Sequence, residues 1–387
     1  MNFVYLSPHF PPKYYQFSAR LRRLGANVLG IADEPYERLD PRLQVALTEY
    51  YRVSDMHSYD QLLRGLGYFT HRYGRLDRLD SQNEYWLETE AQLRTDFNIF
   101  GLKTADMPRI KRKSQMKAVY RQAGVRVARG GVMRSLAEAR RLVEETGYPL
   151  VAKPDIGVGA ARTYKIRSDQ ELEDFFAHQP PVDYIFEEFI SGQISSFDGL
   201  TDRDGKIVFY TAHQFSTGIM DTVNEDALVS YYSYRQVPAD LEDAGRRTVQ
   251  AFDVRERFFH LEFFRRAQDG CIVALEVNMR PPGGLTTDMF NYANDIDIYQ
   301  EWANLLVNGR FEAQVTRPYH CGYVGRKLNR AYAHSHEQIL QTWSGRVVHH
   351  EAMSGVFAPV LGELGYLVRS PDEAEIHAMV QYIQALA

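Results

Sequence analysis

Apolar and polar positions follow two periods along this chain, and the switches between them mark its elements. Asn2–Leu6 is a short apolar run. Tyr14–Leu24 then places Phe17, Leu21 and Leu24 on one helical stripe, Gly25 ends it, and Val28–Ile31 is a second apolar run closing at Asp33. Strand, helix and strand in that order open a doubly wound sheet. Tyr59–Tyr73 and Trp86–Phe97 read as helices, with Arg75–Ser81 a strand before Asn83-Glu84. The pattern predicts a first domain ending near Gly101–Met107.

Beyond it, a basic segment, Arg109–Lys117 (RIKRKSQMK), opens a helix that ends at Gly124. Cations at a helix N-terminus oppose the helix dipole, and a bound anion would resolve that conflict. Ser135–Thr146 is helical. Leu150–Pro154 (LVAKP) is a strand carrying Lys153, followed by a small-residue loop with Gly157 and Gly159 and by a strand at Thr163–Ile166. Glycines let backbone N–H groups approach a phosphate closely. Tyr184–Ile190 (YIFEEFI) is a strand running into Ser191-Gly192, and Ser195–Leu200 and Ile207–Gln214 flank the turn Asp202–Gly205. Ser216–Pro238 is polar without a strong period, a candidate lid or a disordered loop. Ala239–Phe252, Ile298–Val307, Glu337–Thr342 and Asp372–Leu386 read as helices; Tyr319–Arg326 and Arg346–His350 read as strands.

The densest chemistry lies in Phe258–Gly284 (FFHLEFFRRAQDGCIVALEVNMRPPGG). Asp269-Gly270 is a hairpin turn signal between two apolar strands. Residues two apart on a strand share a face, so His260 joins Glu262, and Glu276 joins Asn278. Paired antiparallel, the strands would gather three oxygen ligands, and Mg²⁺ bridged to nucleotide phosphates uses such an incomplete set. Arg280 continues the same face and suits a phosphoryl or carboxylate group. A solvated sheet face would explain Glu262 alone. It explains Glu-x-Asn-x-Arg less well, because ionic groups beside an apolar strand are costly to bury unpaired.

The chain has 387 residues, enough for two or three domains. A formal net charge of −5 gives no basic field for nucleic acid, and no apolar run reaches membrane-spanning length. The start, MNFVYLSPHF, reads as a first strand rather than a secretion signal. Cys271 and Cys321 match no metal spacing and read as buried thiols, which with the rest predicts a reduced, cytoplasmic protein.

In this order, the basic helix start, the strand lysine before a small-residue loop, the E-E-F-I strand end and Glu…Glu-x-Asn-x-Arg resemble the ATP-grasp superfamily, and specifically its carboxylate–amine ligases. The likeness spans about Lys113 to Gly284, with Asn2–Ile31 resembling the family's preceding α/β domain. It implies a mixed α/β fold: a Rossmann-like domain (1–107), a small ATP-binding lobe (108–192), a large lobe with the Mg site (193–310) and a C-terminal α/β subdomain (311–387). It implies ATP and two Mg²⁺ ions, with Mn²⁺ an alternative. Lys113 and Lys153 would meet phosphates, Gly157 and Gly159 would lie in the phosphate loop, and Glu187, Glu188, Phe189 and Ile190 would form the adenine hinge. Glu262, Glu276 and Asn278 would ligate metal, and Arg280 would steady the transferred phosphoryl group. Where the family often carries a ribose-binding carboxylate, this chain has Gln193 and Ile194, so the ribose falls to Gln193, to Asp198 or to neither. The implied activity is ATP-dependent joining of a carboxylate to an amine through an acyl phosphate, with a homodimer as a reasonable assembly. A biotin-carboxylase-like enzyme using bicarbonate, and a nucleotide-binding regulatory protein without turnover, are the alternatives.

Overall fold

The computed structural model describes residues 1–157, 162–178, 181–216, 227–353 and 355–387. Three sheets organise it. The first is parallel, in the order Glu49–Arg52, Asn27–Ala32, Asn2–Leu6, Arg78–Asp80. Its two central strands, Asn27–Ala32 and Asn2–Leu6, are near-continuous apolar runs, as strands covered on both faces are. Helix Tyr15–Arg23 buries Phe17 and Leu21 against it, as the stripe predicts.

The second sheet is small and antiparallel: Gly130–Val132, Tyr184–Glu188, Leu150–Pro154, Tyr164–Ile166. One face is sealed by Leu136–Thr146 and Asp169–Ala177, through Ala139, Leu142, Leu172 and Phe186. Ser135 and Ser168 cap these helices by accepting from the amides of Glu138 and Glu171.

The third sheet has eight antiparallel strands in the order Ile272–Asn278, Phe258–Arg266, Gly192–Thr201, Ile207–Phe215, Ser230–Ser233, His320–Arg326, Leu364–Ser370, Val347–Ala352. Strands from 193–310 and from 311–387 therefore share one hydrogen-bonded sheet. Phe259, Leu261 and Phe263 pack on Met116 and Tyr120 of helix Lys113–Gln122, on Val249 of helix Ala239–Ala251 and on Phe252 just after it. The alternate residues His260, Glu262 and Phe264 face a cavity.

Several readings of the chain need correction. The basic segment is not one helix start: it is divided between Met107–Lys111 and Lys113–Gln122, with Arg112 extended between them. The polar stretch Ser216–Pro238 contains a fully buried strand, Ser230–Ser233. Its serines escape hydropathy because their hydroxyls are used internally: Ser230 donates to Ser216 at 2.9 Å and Ser233 accepts from the Cys321 amide at 2.9 Å. Residues 217–226 of that candidate lid lie outside the described residues. Cys321 is buried, and burial pushes its thiol up, but Cys271 is only half-buried and lies 3.0 Å from Arg126 Nη1. Among the described residues no helix is long and apolar enough to cross a membrane.

Candidate active site

The Asp269-Gly270 turn forms, with Gly270 at φ +70°, and sets Glu262 opposite Glu276 and His260 opposite Asn278. The register holds only through a bulge. Phe263 pairs with Ala274, so Leu275 is an extra residue on its strand. Paired without the bulge, Leu275 would stand opposite Glu262, and Glu276 and Asn278 would turn toward the helices. The Ala274 amide beside the bulge donates instead to the Arg126 carbonyl at 2.7 Å.

Glu262, Glu276, Asn278 and Arg280 share a cavity of about 1170 Å³ with Lys113, Lys153, Glu187, Glu188, Phe189, Ile190 and Gln193. The small sheet supplies one wall and the large sheet another. Gly192 stands where they meet, and a Cβ there would come within 2.2 Å of the Arg265 carbonyl oxygen. Gly157 joins through its carbonyl, which accepts from Lys113 Nζ at 2.9 Å. Gly159 lies outside the described residues.

Three lysines line the cavity, one more than expected. Lys117 follows Lys113 by one helical turn, and both are buried. Lys117 and Lys153 clamp the Glu187 carboxylate, Lys153 at 2.9 Å. Burial pushes the Lys117 ammonium well below its usual range. Burial likewise pushes Lys153 down to about 8, against the pull of Glu276 and Glu262. Glu188 turns its carboxylate to Arg129 at 2.7 Å. Of these two glutamates, then, Glu187 is the one whose side-chain charge is held by the cavity lysines.

The conflict of a basic helix start is met inside the chain. Asp155, 2% exposed, accepts from the Ser114 amide at 2.8 Å and pairs with Arg112 at 3.2 Å. A carboxylate at the helix N-terminus is the expected remedy, so no external anion is required there.

Among the described residues no three His, Cys, Asp or Glu side chains form a ready metal cage. Two carboxylates and the Asn278 amide oxygen are what the site offers, a set that suits Mg²⁺ sharing its remaining positions with phosphates and water. Lys113 Nζ lies 3.3 Å from Glu276 Oε1, so a cation already occupies part of this field. Behind Glu262 runs a buried row. His260 Nε2 lies 3.1 Å from Glu262 Oε1, and His260 Nδ1 bonds to Asp198. Asp198 also holds His213 Nδ1 at 2.8 Å and accepts from Ser196 Oγ at 2.5 Å. Burial opposes charge on His260, yet Asp198 and Glu262 outweigh it and push its pKa up to about 9. Asp198 is completely buried in this row, which removes it as a ribose partner; Gln193 is exposed on the cavity wall.

Arg280 reaches toward Glu84, 3.7 Å from Nε, and Glu84 pairs with Lys111 at 2.8 Å. The Asn83-Glu84 corner of the first sheet thus touches the cavity arginine. A second cavity, of about 670 Å³, holds Lys13 between Asp288 at 3.2 Å and Glu351 at 2.9 Å, and meets the first at Gly284 and Phe357. Three basic residues outside this cluster make structural contacts: Arg326 donates to the Ile383 carbonyl, Arg235 to the Arg317 and Pro371 carbonyls, and His349 lies 2.9 Å from Lys13 Nζ.

No protein-family model matches the chain. An L-arginine-specific L-amino acid ligase of Bacillus subtilis is 24% identical over 247 residues, which cover 61% of this chain and 59% of that protein. The chain thus spans well under two thirds of that relative. Among solved structures, an L-amino acid ligase from Bacillus licheniformis superposes with a TM-score of 0.76 at 17% identity, covering 98% of this chain and 96% of that one. The chain has the ATP-grasp fold. The same ATP-grasp framework is shared with the biotin carboxylase domain dimer of a Hydrogenobacter thermophilus 2-oxoglutarate carboxylase, solved with MgADP and bicarbonate (TM-score 0.68, 15% identity, covering 100% and 90%).

Sequence reading passed over Lys117, Asp155, Asp198 in its buried role and the Glu84–Arg280 contact in this ATP-grasp cavity. Lys117 had a signal, the i, i+4 spacing from Lys113. Asp155 had none, since its helix begins 42 residues earlier in the chain.

Proposed function

We propose that this chain is an ATP-dependent carboxylate–amine ligase. One observation carries the reading: Glu262, Glu276, Asn278, Arg280 and the lysines Lys113, Lys117 and Lys153, drawn from the small sheet, the large sheet and a helix, line one cavity. Such an arrangement fits a polyphosphate with its metal. Lys113 and Lys153 would neutralise phosphate oxygens, and ATP would displace the internal pairing of Lys113 with Glu276. The strand end Glu187–Ile190 would receive the adenine, with Gln193 beside the ribose. Glu262, Glu276 and Asn278 would hold Mg²⁺, one ion or two. Bound there, the metal would offset charge on the transferring phosphoryl group.

Arg280 would orient the carboxylate that attacks the γ-phosphorus of ATP. A carboxylate oxygen forms a bond to phosphorus as ADP leaves, giving an acyl phosphate. An amine then attacks the acyl carbon, a proton is lost from nitrogen, and phosphate departs. Because a carboxylate lacks a good leaving group, the chain's task is positioning, charge neutralisation and exclusion of water. The divisions 1–107, 108–192, 193–310 and 311–387 are our reading of the working parts, and a homodimer is our reading of the assembly.

The test is phosphate and ADP release with ATP and Mg²⁺ across a matrix of amino acids and other carboxylates against amines, with Glu276→Ala as the blank. Release that requires one carboxylate–amine pair, with a condensed product of matching mass, supports the ligase. Release with bicarbonate alone favours the carboxylase reading.

A further inference from the structure

The proposed metal ligand Glu262 does not stand alone. It ends a row of side chains that crosses three strands of the large sheet. Register places Glu262 beside Ser196 and His260 beside Asp198 on one neighbouring strand, with Asn278 across from His260 on the other. His213 lies opposite Ser196 one strand farther on. Their contacts alternate base and acid from the cavity inward: Glu262, His260, Asp198, His213.

Both nitrogens of His260 are engaged. Nε2 meets Glu262 Oε1 at 3.1 Å and Nδ1 meets Asp198 Oδ1. The ring therefore cannot turn without breaking a bond at one end. Asp198 is fixed in turn, with its other oxygen held by His213 Nδ1 at 2.8 Å and Ser196 Oγ at 2.5 Å. Asp198 and His213 have no exposed surface, and the His213 ring stacks on Phe290 with centroids 5.8 Å apart. Rotamer freedom is thus removed stepwise from the packed interior to the cavity edge. Glu262, unlike Glu276 and Asn278, has no cavity lysine or arginine bonded to it among the described residues. Its orientation depends on this row.

We propose that His260 is a positioning residue: fixed by Asp198, it holds the Glu262 carboxylate with one oxygen engaged and the other presented to a divalent cation. The inference rests on the Mg²⁺ reading above and deepens it. Partners that orient a metal-binding carboxylate typically matter by roughly 10- to 100-fold in metal affinity. A buried ion network serving stability alone would show no such effect.

The experiment needs no knowledge of the substrates. ATP binding to the full-length protein is titrated by calorimetry over a series of Mg²⁺ concentrations, and Mn²⁺ binding is followed by electron paramagnetic resonance. Wild type is compared with Glu262→Ala, His260→Ala, His260→Gln and Asp198→Asn, and the metal-free melting temperature is recorded for each. His260→Ala should need roughly 10- to 100-fold more metal for half its effect on ATP binding. His260→Gln, which keeps one N–H donor, should recover part of that loss, and Asp198→Asn should show an intermediate shift. Unchanged metal dependence in the His260 variants, beside a clear shift in Glu262→Ala, overturns the positioning role and leaves the ligase reading standing. A Glu262→Ala protein as metal-responsive as wild type overturns the metal assignment itself. A lowered melting temperature with unmoved metal dependence marks the row as structural only and also overturns the proposal. If His260→Ala fails to fold, His260→Gln and Asp198→Asn carry the decision.

Discussion

Lys153 is where burial and charge compete most directly. Its strand places it inside the cavity and burial pushes it down to about 8. A nucleotide phosphate would favour the ammonium, so ATP binding near pH 8 should take up a proton. Calorimetry in buffers of different ionisation enthalpy should show that uptake, and Lys153→Met should lack it. The sign follows from the depressed value: below about 8 the lysine already carries its proton, so uptake fades as pH falls. Lys117→Met leaves Glu187 with Lys153 alone and should weaken ATP binding roughly 10- to 150-fold, since a charge-assisted bond contributes about 1.5–3 kcal/mol. Glu276→Ala should abolish ADP formation while circular dichroism stays that of the native protein. Most of these residues were legible in the chain because they lie on strands, where a period of two assigns faces. Lys117 was legible only once Lys113 had been chosen as its helical neighbour.

At the scale of elements, turns and caps decide where these side chains point. The Asp155 carboxylate, just past the end of the small-sheet strand Leu150–Pro154, caps helix Lys113–Gln122. Asp155→Ala should destabilise the protein by about 0.5–2 kcal/mol, read from urea denaturation. It should also weaken ATP binding, because Lys113 begins that helix. The bulge at Leu275 aims Glu276 and Asn278 into the cavity rather than the core. No local signal marks it: Ala-Leu-Glu-Val is an ordinary strand sequence, and the extra residue is defined only against the partner strand. The strand Ser230–Ser233 was equally hidden, because a Ser-Tyr-Tyr-Ser run reads as polar until its hydroxyls find partners.

Across the whole molecule, a buried cluster ties the first sheet to the large one. Arg257 pairs with Asp80 at 3.0 Å and Glu90 at 3.3 Å and donates to the Met279 carbonyl at 2.5 Å, one residue before Arg280. Arg94 completes the group, 2.6 Å from Glu90. Arg257→Ala would leave buried carboxylates short of a partner and should cost about 3–5 kcal/mol in denaturant unfolding. Local chemistry in the chain was enough for the mixed α/β outline, the Glu-x-Asn-x-Arg hairpin and the lysine strand, because short-range periodicity and turn residues encode them. The Lys117–Glu187–Lys153 clamp, the Asp155 cap, the His260–Asp198 row and the Arg257 cluster came only with the folded molecule. Each joins groups far apart in the chain, and their pairing depends on strand order, register and a bulge that no single segment specifies.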